Sequence, residues 1–173
     1  MQSNVAMQLH ARLGSIKILL VDDDHYMRKV VRTMLASLGV NHVHEACDGA
    51  EGLDAVLKYN PDIVFVDWDM PMLNGLQFIQ MVRSPGEFPA PDVPIILLTG
   101  HSDHWRVKEA ARCGVHEYLL KPVSTKSLLD RITAVLVKPR QMMQFDGCYV
   151  PAPRKLVVLD AGGDPNEDIL LLR

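Results

Sequence analysis

Short apolar runs alternate along the chain with longer stretches in which apolar residues recur every three or four positions. The short runs are typical of strands buried on both faces, and the longer stretches are typical of amphipathic helices. A strand is followed by a helix five times over, which predicts an α/β fold: a doubly wound, five-stranded parallel sheet covered by five helices. The predicted strands span residues 16–21, 40–46, 62–67, 93–99 and 116–120.

The predicted helices begin and end at residues suited to those positions. Asp24, Asp48 and Ser124 are good N-caps, and either Ser102 or Asp103 is expected to begin the fourth helix. The third helix is predicted near residues 73–83, before a Pro-rich loop over 84–92, and the fifth ends near Lys138. Inward-facing side chains are predicted in three helices: Met27, Val30, Val31, Met34, Leu35 and Leu38, then Ala50, Leu53, Val56 and Leu57, then Leu128, Leu129, Ile132, Val135 and Leu136.

The two ends of the chain differ from this pattern. Residues 1–14 have no clear period and are predicted to be an N-terminal extension, so the domain is placed at residues 15–138. Residues 139–173 form a tail broken by Pro and Gly, shorter than the roughly 40 residues that usually fold alone. We expect no output domain and favour mobile chain. The apolar runs at 155–159 and 169–172 leave open an ordered tail that pairs with a sheet edge, covers a helix or docks on a partner.

Composition excludes several classes of protein. The net charge is −3 and no run of Lys or Arg stands out, so nucleic-acid binding is not expected. No apolar run approaches the roughly 20 residues of a membrane span, and no signal peptide is evident, which predicts a cytoplasmic protein. The three cysteines and seven histidines match no metal-ligand spacing and are expected to be structural or solvated.

Acidic residues, a hydroxyl and a lysine follow or end the predicted strands. Asp22 and Asp23 follow the first strand, Asp67 ends the third, Thr99 ends the fourth and Lys121 follows the fifth. The carboxyl ends of parallel strands share one edge, so these side chains are expected to meet. Clustered carboxylates need a cation, and oxygen ligands suit Mg²⁺. A lysine and a hydroxyl beside them suit a phosphoryl group.

Four segments carry a resemblance to a known family. They read ILLVDDD, DIVFVDWDMPMLNG, VPIILLTG and GVHEYLLKP, in this order along the chain. Together they resemble the receiver domain of two-component response regulators over residues 15–138. The resemblance implies a flavodoxin-like strand order, 2-1-3-4-5, and a cis peptide bond between Lys121 and Pro122. Asp24 is expected to be a helix cap only, as is usual for an Asp that follows a strand.

The resemblance also implies a role for each residue at the strand ends. Asp67 is the phosphoacceptor, and Lys121 binds the phosphoryl group. Thr99 and Tyr118 are the switch residues. Mg²⁺ is held by Asp22, Asp23, Asp67 and the backbone carbonyl of Asp69.

The implied function is a phosphorylation switch rather than an enzyme, because the protein would catalyse only its own phosphorylation and slow dephosphorylation. The implied phosphodonor is a sensor histidine kinase or a histidine phosphotransfer protein. The signal would pass to a downstream protein through the face made by helix four, strand five and helix five. Whether phosphorylation produces a homodimer is left open.

Two alternatives differ in chemistry. Asp67-Trp68-Asp69 also matches the DxD of haloacid-dehalogenase phosphatases, although in that family the DxD lies on the first strand and the paired acids come late. A degenerate receiver that only binds a partner is disfavoured by the complete set of acids, hydroxyl and lysine. Gly100 departs from the family pattern, and His101 lies at a position whose residue varies within the family. His25 is placed near the pocket rim but is expected to be solvated, and Trp68 is expected to line the pocket mouth.

Overall fold

The computed structural model describes residues 11–84, 86, 88–100, 104–145 and 147–153. The helices are α1 (His25–Ser37), α2 (Gly49–Tyr59), α3 (Gly75–Arg83), α4 (His104–Arg112) and α5 (Thr125–Val137). The strands of the main sheet are β1 (Lys17–Val21), β2 (His42–Ala46), β3 (Ile63–Asp67), β4 (Ile95–Thr99) and β5 (Glu117–Leu120). All neighbouring strands are parallel, in the order β2-β1-β3-β4-β5. The predicted fold class and strand order are confirmed.

The sheet is buried on both faces because each of its central strands is apolar at every position except one end residue. Successive residues of a strand point to opposite faces, so each strand contributes to two cores. One core, with residues such as Leu20, Phe65 and Leu98, packs against α1 and α5. The other, with residues such as Val21, Val66 and Leu97, packs against α2, α3 and α4. Helices on both faces leave the carboxyl ends of the strands accessible for a site.

The predicted helix caps are present where the structure describes them. The Asp24 side chain accepts from the backbone N–H groups of the first turn of α1, and Asp48 does the same for α2. Ser124 forms a capping box with Ser127 at the start of α5. The predicted caps Ser102 and Asp103 lie outside the described residues.

The prediction for the inner face of α2 was wrong at two positions. Ala50 is exposed and Leu57 is 53% exposed, whereas Gly52 and Ala55 are buried. The helix packs closely against β1, since a Cβ at Gly52 would lie 2.9 Å from Cγ1 of Val21. Small residues therefore face the sheet, and a larger apolar residue is left at the surface.

The described parts of the two end segments contain secondary structure that the sequence does not predict. Residues 11–15 are helical, and Leu13 is buried in the core below α1 and α5, so the expectation of irregular structure was wrong for this part of 1–14. In the tail, β6 (Met142–Phe145) and β7 (Cys148–Pro151) form an antiparallel hairpin. The preference for mobile chain was therefore wrong for the described part of 139–173. The apolar runs at 155–159 and 169–172 lie outside the described residues.

The hairpin docks at the start of β5, away from the carboxyl ends of the strands. Arg140 donates hydrogen bonds to the backbone carbonyls of Val115 and His116. Val150 is buried, and the carbonyl of Tyr149 lies so close to Gly114 that a Cβ there would approach it to 2.5 Å. The hairpin fits because it supplies hydrogen-bond partners and apolar cover to this end of the sheet.

Arg83, at the end of α3, is fully buried beneath this region. Its guanidinium donates to the carbonyls of Gly114 at 2.9 Å and Pro91 at 2.6 Å, and contacts Nδ1 of His116 at 3.2 Å. Burial lowers the pKa of Arg83 to about 9. Arg83 thus ties α3, the loop before β4 and the start of β5 together.

In the described residues, no helix is long and apolar enough to cross a membrane.

Candidate functional site

Three acidic side chains meet at the carboxyl ends of β1 and β3. These strands are neighbours with Val21 paired to Val66, which places Asp22 beside Asp67. Asp22 and Asp67 are buried and Asp23 is exposed. A carboxylate oxygen from each of the three lies within 4.8 Å of the others. The structure thus brings together the three carboxylates that the sequence predicts as metal ligands.

Lys121 joins this cluster from the end of β5. Its Nζ lies 2.8 Å from Oδ1 of Asp67 and 3.1 Å from Oδ2 of Asp22. The residue is held in place by its backbone N–H, which donates to the carbonyl of Thr99 at 2.8 Å. The Lys121–Pro122 peptide bond is cis, as the resemblance implied. One ammonium group therefore contacts both buried acids.

Burial and charge act in opposite directions on this cluster. Burial raises the pKa of Asp67 to about 6, despite the opposing hydrogen bond and charge of Lys121. Burial alone would lower the pKa of Lys121, but its hydrogen bond to Asp67 and the charges of Asp67 and Asp22 outweigh that effect and raise it. Lys121 is therefore a cation at neutral pH, and Asp67 is mostly ionised.

The donor set fits a hard divalent cation. All three side chains offer carboxylate oxygens, the ligand type that Mg²⁺ prefers. Ligands around Mg²⁺ at roughly 2.1 Å lie about 3 to 4 Å apart, so the observed separations need only small side-chain adjustments. Asp22, Asp23 and Asp67 would hold the ion, leaving positions for water and a phosphoryl oxygen. The predicted contribution of the Asp69 carbonyl remains a prediction.

The two predicted switch residues lie on adjacent strands beside this cluster. Thr99 is the last residue of β4 and is buried, and Tyr118 lies on β5, partly exposed. The guanidinium carbon of Arg131, on α5, lies 5.8 Å from the centroid of the Tyr118 ring. Arg131 also forms a 3.2 Å ion pair with the buried Glu117. The Tyr118 ring thus packs against the core on the α4 side of the sheet, where the Arg131 guanidinium of α5 also contacts it.

Arg106 is a site residue that the sequence analysis missed. Its guanidinium carbon lies 5.2 Å from the centroid of the Trp68 ring and 5.1 Å from that of Trp105. Its Nη1 lies 3.7 Å from Oδ1 of Asp69. Trp68 is buried, and it follows Asp67 directly in the chain. Because Trp68 and Asp69 are distant from Arg106 in the chain, no local sequence signal marks these two contacts.

The loop after Asp67 has two unusual backbone positions. Gly75, which begins α3, lies so close to the carbonyl of Asp67 that a Cβ would overlap it, and its N–H donates to the carbonyl of Trp68 at 3.0 Å. Met72 has a φ of 65° and is 98% exposed. The glycine within the quoted NG pair is the signal that could have identified this close approach.

His25 is exposed and does not lie among the acids, in agreement with the solvated interpretation. Its Nδ1 lies 3.4 Å from Nη2 of Arg28. Arg28 donates to the backbone carbonyl of Asp22 at 2.6 Å and pairs with Glu45 at 3.3 Å. Arg28, a second residue that the sequence analysis missed, therefore supports the backbone beneath the acidic pair.

The sequence and structure are similar to those of known proteins. A family model described as the response regulator receiver domain matches residues 18–133. Chemotaxis protein CheY-3 of Vibrio cholerae is 32% identical over 121 residues, which cover 70% of this chain and 92% of that protein. Chemotaxis protein CheY1 of Helicobacter pylori is 35% identical over 123 residues, covering 70% of this chain and 97% of that protein.

Solved structures show the same likeness. The structure of Vibrio cholerae chemotaxis protein CheY4 aligns with a TM-score of 0.64 at 30% identity, covering 70% of this chain and 98% of that one. The receiver domain of the Francisella response regulator 1452 aligns with a TM-score of 0.63 at 26% identity, covering 70% of this chain and 96% of that one. Both structural alignments cover the same share of this chain as the sequence matches do.

Proposed function

Because the chain belongs to the response regulator receiver domain family, we propose that it is a phosphorylation switch whose phosphoacceptor is Asp67. The observation that carries the proposal is the contact of 2.8 Å between Asp67 and Lys121 beside two further carboxylates. This arrangement offers a nucleophile, a cation for a phosphoryl group and ligands for Mg²⁺. The phosphodonor is a sensor histidine kinase or a histidine phosphotransfer protein.

The chemistry of phosphorylation follows from this arrangement. A carboxylate oxygen of Asp67 attacks the phosphorus of a phosphohistidine, and the new oxygen–phosphorus bond forms as the phosphorus–nitrogen bond breaks. The electron pair of the broken bond leaves with the imidazole nitrogen, which takes up a proton from water. Bound Mg²⁺ would offset the repulsion between the carboxylates and the phosphoryl oxygens. Lys121 donates to a phosphoryl oxygen, adding positive charge from the protein.

The signal is a conformational change on the face of α4, β5 and α5. A phosphoryl oxygen on Asp67 gives the Thr99 hydroxyl a new acceptor and draws the end of β4 towards the pocket. Tyr118 then rotates inward and leaves its contact with Arg131. A downstream protein that recognises the changed face receives the signal. Residues 15–138 form the receiver, and the protein is a regulator rather than an enzyme that turns over substrates.

The two alternatives find less support. In this chain the DxD sequence ends β3, while the acidic pair follows β1. This is the reverse of the order in haloacid-dehalogenase phosphatases. A degenerate receiver needs no intact cluster, yet Asp22, Asp67 and Lys121 are in contact. The cytoplasmic location stays a prediction, consistent with free thiols at Cys47, Cys113 and Cys148.

The switch is tested with beryllofluoride, which mimics a phosphoryl group on a carboxylate. Backbone amide spectra are recorded for the wild type and for Thr99→Ala, with Mg²⁺, before and after beryllofluoride. We expect shifts across β5 and α5 in the wild type, and shifts confined to the pocket in Thr99→Ala. Equal shifts of α5 in both proteins would contradict the proposed switch, and no shift in the wild type would contradict the function.

A further inference from the structure

Arg106 has hydrogen-bonding capacity that its contacts do not use. Its guanidinium lies between the rings of Trp68 and Trp105, at 5.2 and 5.1 Å from their centroids. Nη1 lies 3.7 Å from Oδ1 of Asp69, which is an ion pair but too long for a hydrogen bond. Within the part of the chain that the structure describes, Nε and Nη1 are both buried and have no hydrogen-bond partner. The side chain is thus held by stacking while two of its donors are unpaired.

Unpaired buried donors are costly, and more so on a charged group. Two aromatic rings and one carboxylate fix this guanidinium, and the side chain is only 21% exposed. A rigid guanidinium loses little conformational entropy when an anion binds, and its paired N–H groups match two oxygens of a phosphoryl group. The geometry is therefore that of a site completed by an anion.

The contacts of Arg106 place it beside the segment that follows the phosphoacceptor. Asp67 is the last residue of β3 and directly precedes Trp68, whose ring stacks on Arg106. Asp69, the ion-pair partner of Arg106, is one of the charges that raise the pKa of Asp67. Arg106 therefore contacts the two residues that follow Asp67 in the chain, one of which acts electrostatically on Asp67.

We propose that Arg106 is a phosphoryl-binding residue, an inference that rests on the proposed function. When Asp67 carries a phosphoryl group, an unpaired N–H group of Arg106 donates to one of its oxygens, and the ion pair with Asp69 opens. Phosphorylation then adds a contact between α4 and the pocket, besides those of Thr99 and Lys121. The exposed Trp105, which is 58% accessible, changes its environment with Arg106.

The test measures the dissociation constant of beryllofluoride at saturating Mg²⁺ by calorimetry. Arg106→Met keeps the length and stacking of the side chain but removes its charge and donors. We expect it to weaken beryllofluoride binding by about tenfold or more, as for loss of hydrogen bonds to a charged group. The affinity for Mg²⁺ alone should change by less than about threefold. Lys108→Met, an exposed position on α4, should bind beryllofluoride as the wild type does.

Comparing Asp69→Asn with the double variant Asp69→Asn, Arg106→Met separates direct binding of beryllofluoride by Arg106 from an effect that acts through Asp69. If Arg106 contacts the phosphoryl group, Arg106→Met weakens beryllofluoride binding equally in an Asp69→Asn background. Loss of the effect in that background would show that Arg106 only offsets the charge of Asp69, and would overturn the inference. Arg106→Lys, which keeps the charge without the paired donors, is expected to weaken binding by about threefold. It serves as the test if Arg106→Met fails to fold.

The outcomes also separate this inference from the proposed function. Beryllofluoride that binds the wild type and Arg106→Met equally overturns the role of Arg106 and leaves the phosphorylation switch intact. A wild type that binds no beryllofluoride contradicts both. Tight binding by the wild type and Lys108→Met, with weak binding by Arg106→Met in both backgrounds, supports both.

Discussion

The Nζ atom of Lys121 lies 2.8 Å from Oδ1 of Asp67, although Asp67 ends β3, Lys121 follows β5, and β4 lies between these two strands. The same ammonium lies 3.1 Å from Oδ2 of Asp22. Burial and like charge would otherwise keep these two acids from sharing one pocket. The ammonium therefore stabilises the acidic cluster and supplies positive charge where a phosphoryl group would arrive.

Replacing Lys121 by Met should affect metal binding and phosphorylation in opposite directions. Without the ammonium, Mg²⁺ meets less repulsion, and we expect it to bind about three- to tenfold more tightly. Phosphorylation by acetyl phosphate should slow by about 100-fold, because a donor to the developing charge is lost. Mass spectrometry measures the phosphorylation rate, and calorimetric titration measures the affinity for Mg²⁺. Lys126→Met, exposed on α5, should behave as the wild type, and a Lys121→Met protein phosphorylated at the wild-type rate would contradict the assignment.

The affinity for Mg²⁺ should depend on pH through Asp67. Burial raises its pKa to about 6, so a proton competes with the cation as the pH falls through that value. We expect the dissociation constant to be nearly constant above about pH 7 and to rise about tenfold per pH unit below about pH 6. Fluorescence of Trp68 during Mg²⁺ titration measures it. Asp67→Asn should bind weakly and lose this dependence, whereas a wild-type constant unchanged down to about pH 5 would exclude Asp67 as the coupled group.

The C-terminal hairpin should stabilise the domain. Truncation after Lys138 removes β6 and β7, the hydrogen bonds from Arg140 and the cover given by Val150. We expect its Tm to fall by at least about 4 °C, which corresponds to about 1 kcal/mol or more for a domain of this size. Truncation after Pro153 is the matched control, since it keeps the hairpin. Equal melting temperatures for the two truncated proteins would show that the hairpin contributes nothing to stability.

Arg83 should be needed for stability rather than for phosphorylation. Arg83→Met leaves the carbonyls of Gly114 and Pro91 without their donor in a buried site, and should cost about 3 kcal/mol of unfolding free energy. Arg83→Lys should cost nearly as much, because an ammonium does not reproduce the planar arrangement of donors. Urea unfolding measures both. Arg112→Met, at an exposed position, should change stability by less than about 0.5 kcal/mol, and an equally small effect of Arg83→Met would contradict this account.

The fold and the acidic cluster are largely readable from the sequence. Continuous apolar runs mark buried strands, and the residue that ends each run lies at the same edge of a parallel sheet. Asp22, Asp67 and Lys121 could therefore be grouped without any contact information. The caps at Asp24, Asp48 and Ser124 were predictable for a similar reason, because capping depends on a few neighbouring backbone groups.

Other features depend on contacts that local patterns do not contain. Arg106 contacts Trp68, which lies far earlier in the chain, so its own helix gives no signal of that contact. In the tail, the short strands around Gly147 have a weak alternation, and the hairpin is ordered by its contacts with the start of β5. In α2, Gly52 lies close to Val21 of β1, so that side of the helix faces the sheet and Leu57 is left exposed.

The most direct test is the intact mass of the protein after incubation with acetyl phosphate and Mg²⁺, beside Asp67→Ala and the exposed-acid control Asp54→Ala. We predict one added phosphoryl group on the wild type and on Asp54→Ala, none on Asp67→Ala and none when Mg²⁺ is removed by a chelator. A phosphoryl group on Asp67→Ala, or none on the wild type with Mg²⁺ present, would contradict the assignment of Asp67 as the phosphoacceptor.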